Sequence, residues 1–334
     1  KAFRSLQESM YMVAQYGAVF FQRQLVDNEE GKAIGLSYFK ERGFTEASIQ
    51  HFGLGYSPNQ KDALTAAAQK QGYKLDFLAQ TGLSLVNPER GAPIDRFRGR
   101  VMFPIRSLSG RIQGFGGRIL GANSKAAKYL NSPESPIYHK SKVLYGLFES
   151  KKSIATTDCC YIVEGYTDVI QMHQSGVTNV VSASGTALTV EQIRMIRRLT
   201  SNVVVLFDGD AAGLRASLRG IDLILEAGMN VKVCVFPEGE DPDSFCMSRP
   251  IEEIETYLKE QAKDFIQFKA ALLLEDTVQD PSAKAAVVRE IVASIAKIPD
   301  AIARELYVHH FWKCLKMYSL APWPSCVHKG LQSP

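Results

Sequence analysis

The sequence contains no apolar run approaching the roughly 20 residues needed to cross a bilayer. Its opening stretch, KAFRSLQESM, has no apolar centre of the kind a secretory signal needs. A spanning or exported protein is therefore not expected, and the cytoplasm is the expected compartment. Cysteine is sparse. The six present, at 159, 160, 234, 246, 314 and 326, form no CxxC pair and no regular framework, which argues against a disulfide scaffold or a zinc site. Cys234, inside VKVCVF, reads as a small buried hydrophobe. Acidic side chains are nearly missing from one stretch: between Arg90 and Lys142 only Asp95 and Glu134 stand against eleven lysines and arginines. The net charge of +4 hides that asymmetry. A basic stretch of this kind suits a polyanionic substrate such as nucleic acid or a nucleoside triphosphate, the alternative being a solvated basic face.

Acidic residues are concentrated just beyond it. Glu164 and Asp168 lie in YIVEGYTDV, Asp208 and Asp210 in VVVLFDGDAAG, and Asp241 and Asp243 in PEGEDPDSF. Each pair follows an apolar, β-branched run that reads as a buried parallel strand, so all should emerge at the carboxyl edge of one sheet, where open α/β folds place their sites. Close carboxylates raise each other's pKa, and a cluster ionised at neutral pH needs a counter-cation. Oxygen-only donors favour Mg²⁺ or Mn²⁺ over zinc. A bound pair of such ions would supply phosphoryl-transfer chemistry. Asp168 alone could be a helix-start residue, but Glu164 closes a strand and has no such role.

At 334 residues, 46% apolar and 22% charged, the chain has room for two or three folded domains. Lys1 in place of Met suggests a piece cut from a longer protein. Residues 1–90 read as mainly helical, through MYMVAQYGAVFFQRQL, GKAIGLSYFKERGF and TEASIQHFGLGYSP, with Thr45 and Ser48 starting a helix that Gly53 and Gly55 stop. Tyr11, Tyr16, Phe20 and Phe21 fall at helical spacing and are expected in the core. RVMFPI, a turn at Leu108–Gly110, and RIQGFGGRIL form a hairpin. The following AKYLNSPESPIYHKSKVLYGL reads as a long ordered loop, and such loops are often functional. Residues 159–245 alternate strand and helix, ending in an EGEDPDSF loop. From Ile251 to about Trp312 the pattern is helical throughout. The last stretch, KMYSLAPWPSCVHKGLQSP, lacks periodicity and is expected to be foreign to the fold.

The strand-end EG followed by Asp, then DGD, then EDPD, resembles the Toprim domain of bacterial primases, type IA and II topoisomerases and some nucleases. RFRGRVMFPI, GRIQGFGGRIL, KYLNSPES and YHKSKVLYGL are similar to the amino-terminal half of the RNA polymerase domain of bacterial DnaG-type DNA primase, and the resemblance as a whole covers most of residues 1 to about 310. It implies an α/β fold: a mixed N-terminal α+β subdomain (1–143), a central Toprim subdomain with a mostly parallel sheet flanked by helices (144–250), a C-terminal helical bundle (251–313) and an irregular tail (314–334). It further implies template-directed synthesis of short RNA primers during DNA replication, on single-stranded DNA and from ribonucleoside triphosphates. Glu164, Asp208 and Asp210 would be catalytic carboxylates, with Asp168, Asp241 and Asp243 completing two or more Mg²⁺ or Mn²⁺ sites. Lys128, Tyr129, Asn131, Lys140 and Gly165 would surround the nucleotide, and Arg96, Arg98 and Arg118 would contact nucleotide phosphates or template DNA.

The family's amino-terminal zinc module and carboxyl-terminal helicase-binding module are expected to be missing, so a replicative helicase would dock through a domain absent here and no zinc is expected. A monomer at the bacterial replication fork, with alarmone nucleotides as competitors, completes the expectation. Two other classes compete: a Toprim-type metal-dependent nuclease, against which the basic 96–142 segment speaks, and a non-catalytic single-stranded DNA-binding module, against which the carboxylates speak. A topoisomerase would need a nucleophilic Tyr on a separate DNA-gripping domain, and none is identified.

Overall fold

Apolar residues at Met10, Val13, Ala14, Ala18, Phe21 and Leu25 recur at helical spacing, and they line the buried side of helix α1 (Ala2–Asp27). In this computed structural model the described residues are 2–86, 91–120, 127–185, 187–209, 220–275 and 281–317. A π-helical turn, Gly31–Leu36, and α2 (Ser37–Glu41) follow α1. Helix α3 (Glu46–Phe52) begins at the Thr45 cap, whose Oγ1 accepts from Ser48 N at 3.2 Å, and ends at Gly53 in the left-handed region, as expected. Gly55 instead opens strand β1 (Gly55–Ser57). Helices α4 (Ala63–Lys70) and α5 (Leu75–Gln80) and a two-stranded ladder of β2 (Ser84–Leu85) and β3 (Ile94–Asp95) lead into the predicted hairpin.

That hairpin is β4 (Arg100–Arg106) and β5 (Ile112–Ile119), with Gly110 at φ +87° in its turn. The long-loop reading of AKYLNSPES is corrected here: Tyr129–Asn131 form β6, paired antiparallel to β5. Proline and serine on one side obscured a strand of only three residues. The antiparallel sheet has the order β1-β4-β5-β6. Helix α1 packs on it through Phe21, which meets Phe115 edge-on at 5.4 Å. Tyr11, Tyr16 and Phe20 pack against the same core, as expected.

Helix α6 (Leu147–Thr157) leads into the alternating region. There β7 (Cys160–Val163), α7 (Tyr166–Gln174), β8 (Val180–Ser182), α8 (Val190–Arg197), β9 (Asn202–Phe207), a helical stretch at 220–226 (α9) and β10 (Asn230–Val235) follow in turn. These four strands are parallel. Ile162, Val205 and Val233 enter one core cluster, while Val163, Leu206 and Cys234 enter another on the opposite face with Phe103 of β4. Burial on both faces is why the runs are mostly apolar, Lys232 of β10 being an exposed exception. Each fully buried aliphatic side chain contributes roughly 1.5–3 kcal/mol.

Two further readings are corrected. Asp241 does not lie in a plain loop but caps α10 (Pro242–Met247). The helical reading from Ile251 breaks after α11 (Ile251–Gln261): Lys263–Asp264 form β11, antiparallel to β10, giving the sheet the order β11-β10-β9-β7-β8. Helices α12 (Phe265–Glu275), α13 (Pro281–Ala296) and α14 (Ala301–Met317) make the bundle. Its buried Lys269 pairs with Glu290 at 3.0 Å and donates to Ser294 Oγ at 2.9 Å, and that hydroxyl donates to Asp222 Oδ1 of α9. Helix α14 takes in the first residues of the expected tail, and 318–334 lie outside the described residues. Among the described residues no helix is long and apolar enough to cross a membrane.

Candidate active site

The chain leaves β7 toward β8 on one side and β9 toward β10 on the other, so a topological switch point falls between β7 and β9. Glu164 and Asp208 immediately follow those two strands. Glu164 is exposed and Asp208 half-buried. Gly165 starts α7, and its N–H donates to Asp168 Oδ2 at 2.8 Å, so this donor is already committed within the chain. The Asp168 carboxyl is only 8% exposed. Burial pushes its pKa up to about 7, the Gly165 bond opposes the rise, and Asp241, Asp243 and Asp208 add to it. Those four aspartates therefore share one electrostatic environment.

The glycine of the DGD motif has a steric task. A Cβ on Gly209 would lie 2.2 Å from Pro237 O, so its absence lets the segment carrying Asp241 close against the Asp208 loop. Gly209 N also donates to Glu240 O at 3.1 Å. Asp241 Oδ1 accepts from Ser244 N and from Ser244 Oγ, both at 2.7 Å, the cap of α10. Asp243 is buried and ion-paired to Arg42. Burial raises its pKa against the pull of that guanidinium, with Asp241 raising it further. Asp210 lies outside the described residues.

Arg42 connects the acidic edge to the basic sheet. It lies 5.6 Å over the Tyr38 ring, and Arg118 lies over the same ring at 5.0 Å and over Tyr129 at 5.5 Å. Arg118 also donates to Tyr129 Oη at 3.2 Å. Arg96 donates to Asn131 O at 3.5 Å, and the Nε atoms of Arg96 and Arg118 are buried with no hydrogen-bond partner among the described residues. Burial lowers the Arg96 pKa. Unpaired, desolvated cations of this kind leave room for an anion. Arg98 and Lys128 are exposed. Lys140 stands on a 3₁₀ turn, Lys140–Lys142, its backbone N–H held by Glu134 Oε1 at 2.8 Å. Arg106 and Arg111, in contrast, are occupied by Glu149 and Glu8.

Asn131 and Tyr166 join the two sheets. The Tyr166 hydroxyl donates to Asn131 Oδ1 at 2.7 Å, and its ring stacks on Phe103 at 5.1 Å. A Cβ on Gly116 would meet Tyr166 Cζ at 2.5 Å, so β5 is bare where that ring passes. Arg42, Tyr38 and Tyr166 were not singled out from sequence. Tyr166 adjoins the EG motif, a usable signal; Arg42 meets its partner 201 residues away and carries no local one.

Among the described residues no three His, Cys, Asp or Glu side chains converge closely enough to hold a metal ion. The donor set is nevertheless all oxygen, and the carboxylate crowding that raises Asp168 is what a hard divalent cation would relieve, so the residues fit that class in charge and donor type. Glu164 and Asp208 retain the strand-end positions for it, whereas Asp241 and Asp243 are partly committed to a helix cap and an arginine.

Fold and site together define a Toprim-like acidic centre joined to a basic α+β unit. Residues 20–151 match the family described as DNA primase catalytic core, N-terminal domain, and residues 161–246 the one described as Toprim-like. Among curated relatives, the DNA primase of Halalkalibacterium halodurans is 39% identical over 303 residues, covering 90% of this chain and 50% of the relative. A DNA primase domain from Pseudomonas aeruginosa superposes with a TM-score of 0.83 at 34% identity, over 93% of this chain and 97% of that one. A DnaG primase catalytic domain bound to single-stranded DNA does so at 0.80 and 30%, over 93% and 99%. The chain belongs to the bacterial DnaG-type DNA primases and carries their catalytic-core region. It spans about half the length of the curated relatives it matches. Toprim and primase cores generally depend on divalent metal.

The expectation that no helicase-binding module is present is overturned. Residues 267–311, within α12–α14, match the family described as DnaB-helicase binding domain of primase. A helical bundle without distinctive motifs gave no sign of this in the sequence.

Proposed function

We propose that this chain synthesises short RNA primers on single-stranded DNA from ribonucleoside triphosphates during replication. The observation that carries the reading is the continuous line from Asp243 through Arg42, Tyr38 and Arg118 to Tyr129, which sets a carboxylate edge beside a band of under-satisfied arginines. Triphosphate and template backbone need the cations, and phosphoryl transfer needs the carboxylates. Glu164, Asp208 and Asp210 would hold Mg²⁺ or Mn²⁺, at two or more sites with Asp168, Asp241 and Asp243. Bound divalent ions would supply charge neutralisation at the transferring phosphate and activation of the attacking hydroxyl. Arg96 and Arg118, held by Asn131 O and Tyr129, would orient phosphate; Arg98 would reach the template. Lys128, Tyr129, Asn131 and Lys140 would surround the nucleotide, with Gly165 giving close approach rather than a donor.

The domain division at 143, 250 and 313 is retained as a proposal, with β11 extending the central sheet. A replicative helicase would dock on the 267–311 bundle, where Ile302 and Leu306 of α14 are 73% and 66% exposed. Alarmone nucleotides would compete in the basic cleft of a monomer working in the cytoplasm at the replication fork. The nuclease and pure binding readings use only one of the two edges and are not favoured.

The test is one gel assay. The chain and an Asp208→Ala control are incubated with end-labelled single-stranded DNA, labelled ribonucleotides and Mn²⁺. Short oligoribonucleotides made only by the unaltered chain are expected. Shortened DNA without RNA would move the protein to the nuclease class, and neither product would favour the binding module.

A further inference from the structure

The parallel sheet bears a second concavity at its opposite end. A cavity of about 470 Å³ lies beneath the amino-terminal halves of its strands. Its floor is a row of neighbours in register: Tyr161 of β7 and Lys232 of β10 both stand opposite Val204 of β9. Helix α11 supplies one wall with Leu258 and Lys259, and the segments ending α6 and preceding β8 supply the other. From Tyr161 to Glu164 and from Val204 to Asp208 the strands run about 10–13 Å, so the cavity is separate from the carboxylate edge.

Most polar groups of the second wall are already spent. Ser153 and Thr178 hydroxyls bond each other at 2.8 Å, and the Asn179 amide donates to Thr157 Oγ1 and Cys159 O. The lysines are not. Among the described residues neither the Lys232 nor the Lys259 ammonium makes an ion pair or a hydrogen bond, and the Tyr161 hydroxyl also has no partner. Glu255, one turn before Lys259, is an exposed lining residue and offsets one of the two charges. What remains is a cationic rim over a floor of tyrosine ring, valine and leucine, within the volume range of small-molecule sites.

We propose that this cavity binds a small organic phosphate, its phosphate held between Lys232 and Lys259 and a flat apolar part lying on Tyr161, Val204 and Leu258. Two ammonium groups match a dianionic head. Tyr161 Oη donates to that head or to a ring substituent, and Glu255 accepts from a ligand hydroxyl.

Cys159 provides a local reporter. It lines the cavity and is partly exposed, whereas Cys160, Cys234 and Cys246 are buried. Burial raises its thiol pKa, so alkylation by iodoacetamide at mildly alkaline pH is slow and its rate can be followed by peptide mass spectrometry on the full chain. Phenyl phosphate should slow Cys159 alkylation several-fold. Lys232→Met and Lys259→Met, at exposed positions and with unchanged circular dichroism and melts, should each raise the phenyl phosphate concentration that gives half-maximal protection about tenfold. Inorganic phosphate protecting as well as phenyl phosphate would overturn the apolar half of the proposal, and benzyl alcohol doing so would overturn the anionic half. No protection by phenyl phosphate, or full protection in both variants, would overturn the site. The readout needs no template, nucleotide or metal, so it stands or falls apart from primer synthesis.

Discussion

In and beside the antiparallel sheet, positive charge is held against the strands. Arg100 is 5% exposed and spends its guanidinium on the carbonyls of Gly117, Ala127 and Lys128, while Arg96 and Arg118 lie against a carbonyl and two rings. In the parallel sheet the strands are largely apolar, with Lys232 of β10 the exposed exception, and the acidic charge appears past their ends, on Glu164, Asp208 and Asp241. The first arrangement positions cations by tertiary packing. The second positions anions by topology alone, because parallel strands necessarily finish at one edge.

The comparison is tested most severely by activity. Asp208→Asn should abolish primer product while leaving the thermal melt nearly unchanged, since a carboxylate beyond a strand end supports no core. Lys128→Ala should raise the KM for nucleotide more than it weakens template binding; equal losses would place Lys128 on the template track.

A smaller effect concerns the contact between the two sheets. Removing Arg42 leaves Asp243 buried without its ion-pair partner and only the more distant Arg118 to offset it, and Arg42→Met should cost roughly 1–3 kcal/mol, below the value for a fully buried pair because Arg42 is 28% exposed. A raised carboxyl pKa means that the folded state holds the proton more tightly, so the deficit of Arg42→Met should shrink as pH falls and Asp243 becomes neutral. A deficit constant with pH would remove Asp243 as its origin. Arg42→Met with Asp243→Leu should recover most of the loss.

Gly116→Ala should destabilise by about 1–3 kcal/mol through overlap with the Tyr166 ring, and Tyr166→Leu in the same chain should relieve part of it. Simple additivity of the two in melting experiments would mean that the ring does not press on β5.

The least effect is expected at the α3–α7 contact, where His51 and His173 stack at 5.0 Å. Burial, aided by His51, depresses the His173 pKa to about 4. Between about pH 6.5 and 4 the unfolded chain takes a proton there that the folded chain refuses, so this contribution is complete above that window and lost as pH falls through it. His173→Gln should flatten the acid limb of the Tm profile over that range; an unchanged slope would show that carboxylates alone set it.

The same contrast explains what was legible. Strands buried on both faces announce themselves as apolar runs, so β7 to β10 and the acidic edge could be read directly. Arg42 and Tyr38 could not, because the residues they meet are remote in the chain. Asp241 was readable only in part: an Asp before Pro with Ser three positions on is a helix start, and its role as a ligand candidate concealed the cap. The two residues of β11 sit between helical patterns and carry no period of their own. The bundle's kinship with a helicase-binding domain lies in helix packing, which no short motif records.

β11 also bears on how the isolated protein behaves. β10 would otherwise present a free row of backbone donors and acceptors, and a pair of residues, one charged lysine and one aspartate, is enough to occupy part of it. The opposite edge is met by a lone bridge between Tyr145 and Ser182. That second edge is also covered by α6, whose Ser150 Oγ donates to Val180 O at 2.7 Å, so the short β11 is the weaker closure and leaves less margin against strand addition by another chain. A shortened version ending before Lys263 would uncover β10, and self-association growing with protein concentration is its expected signature.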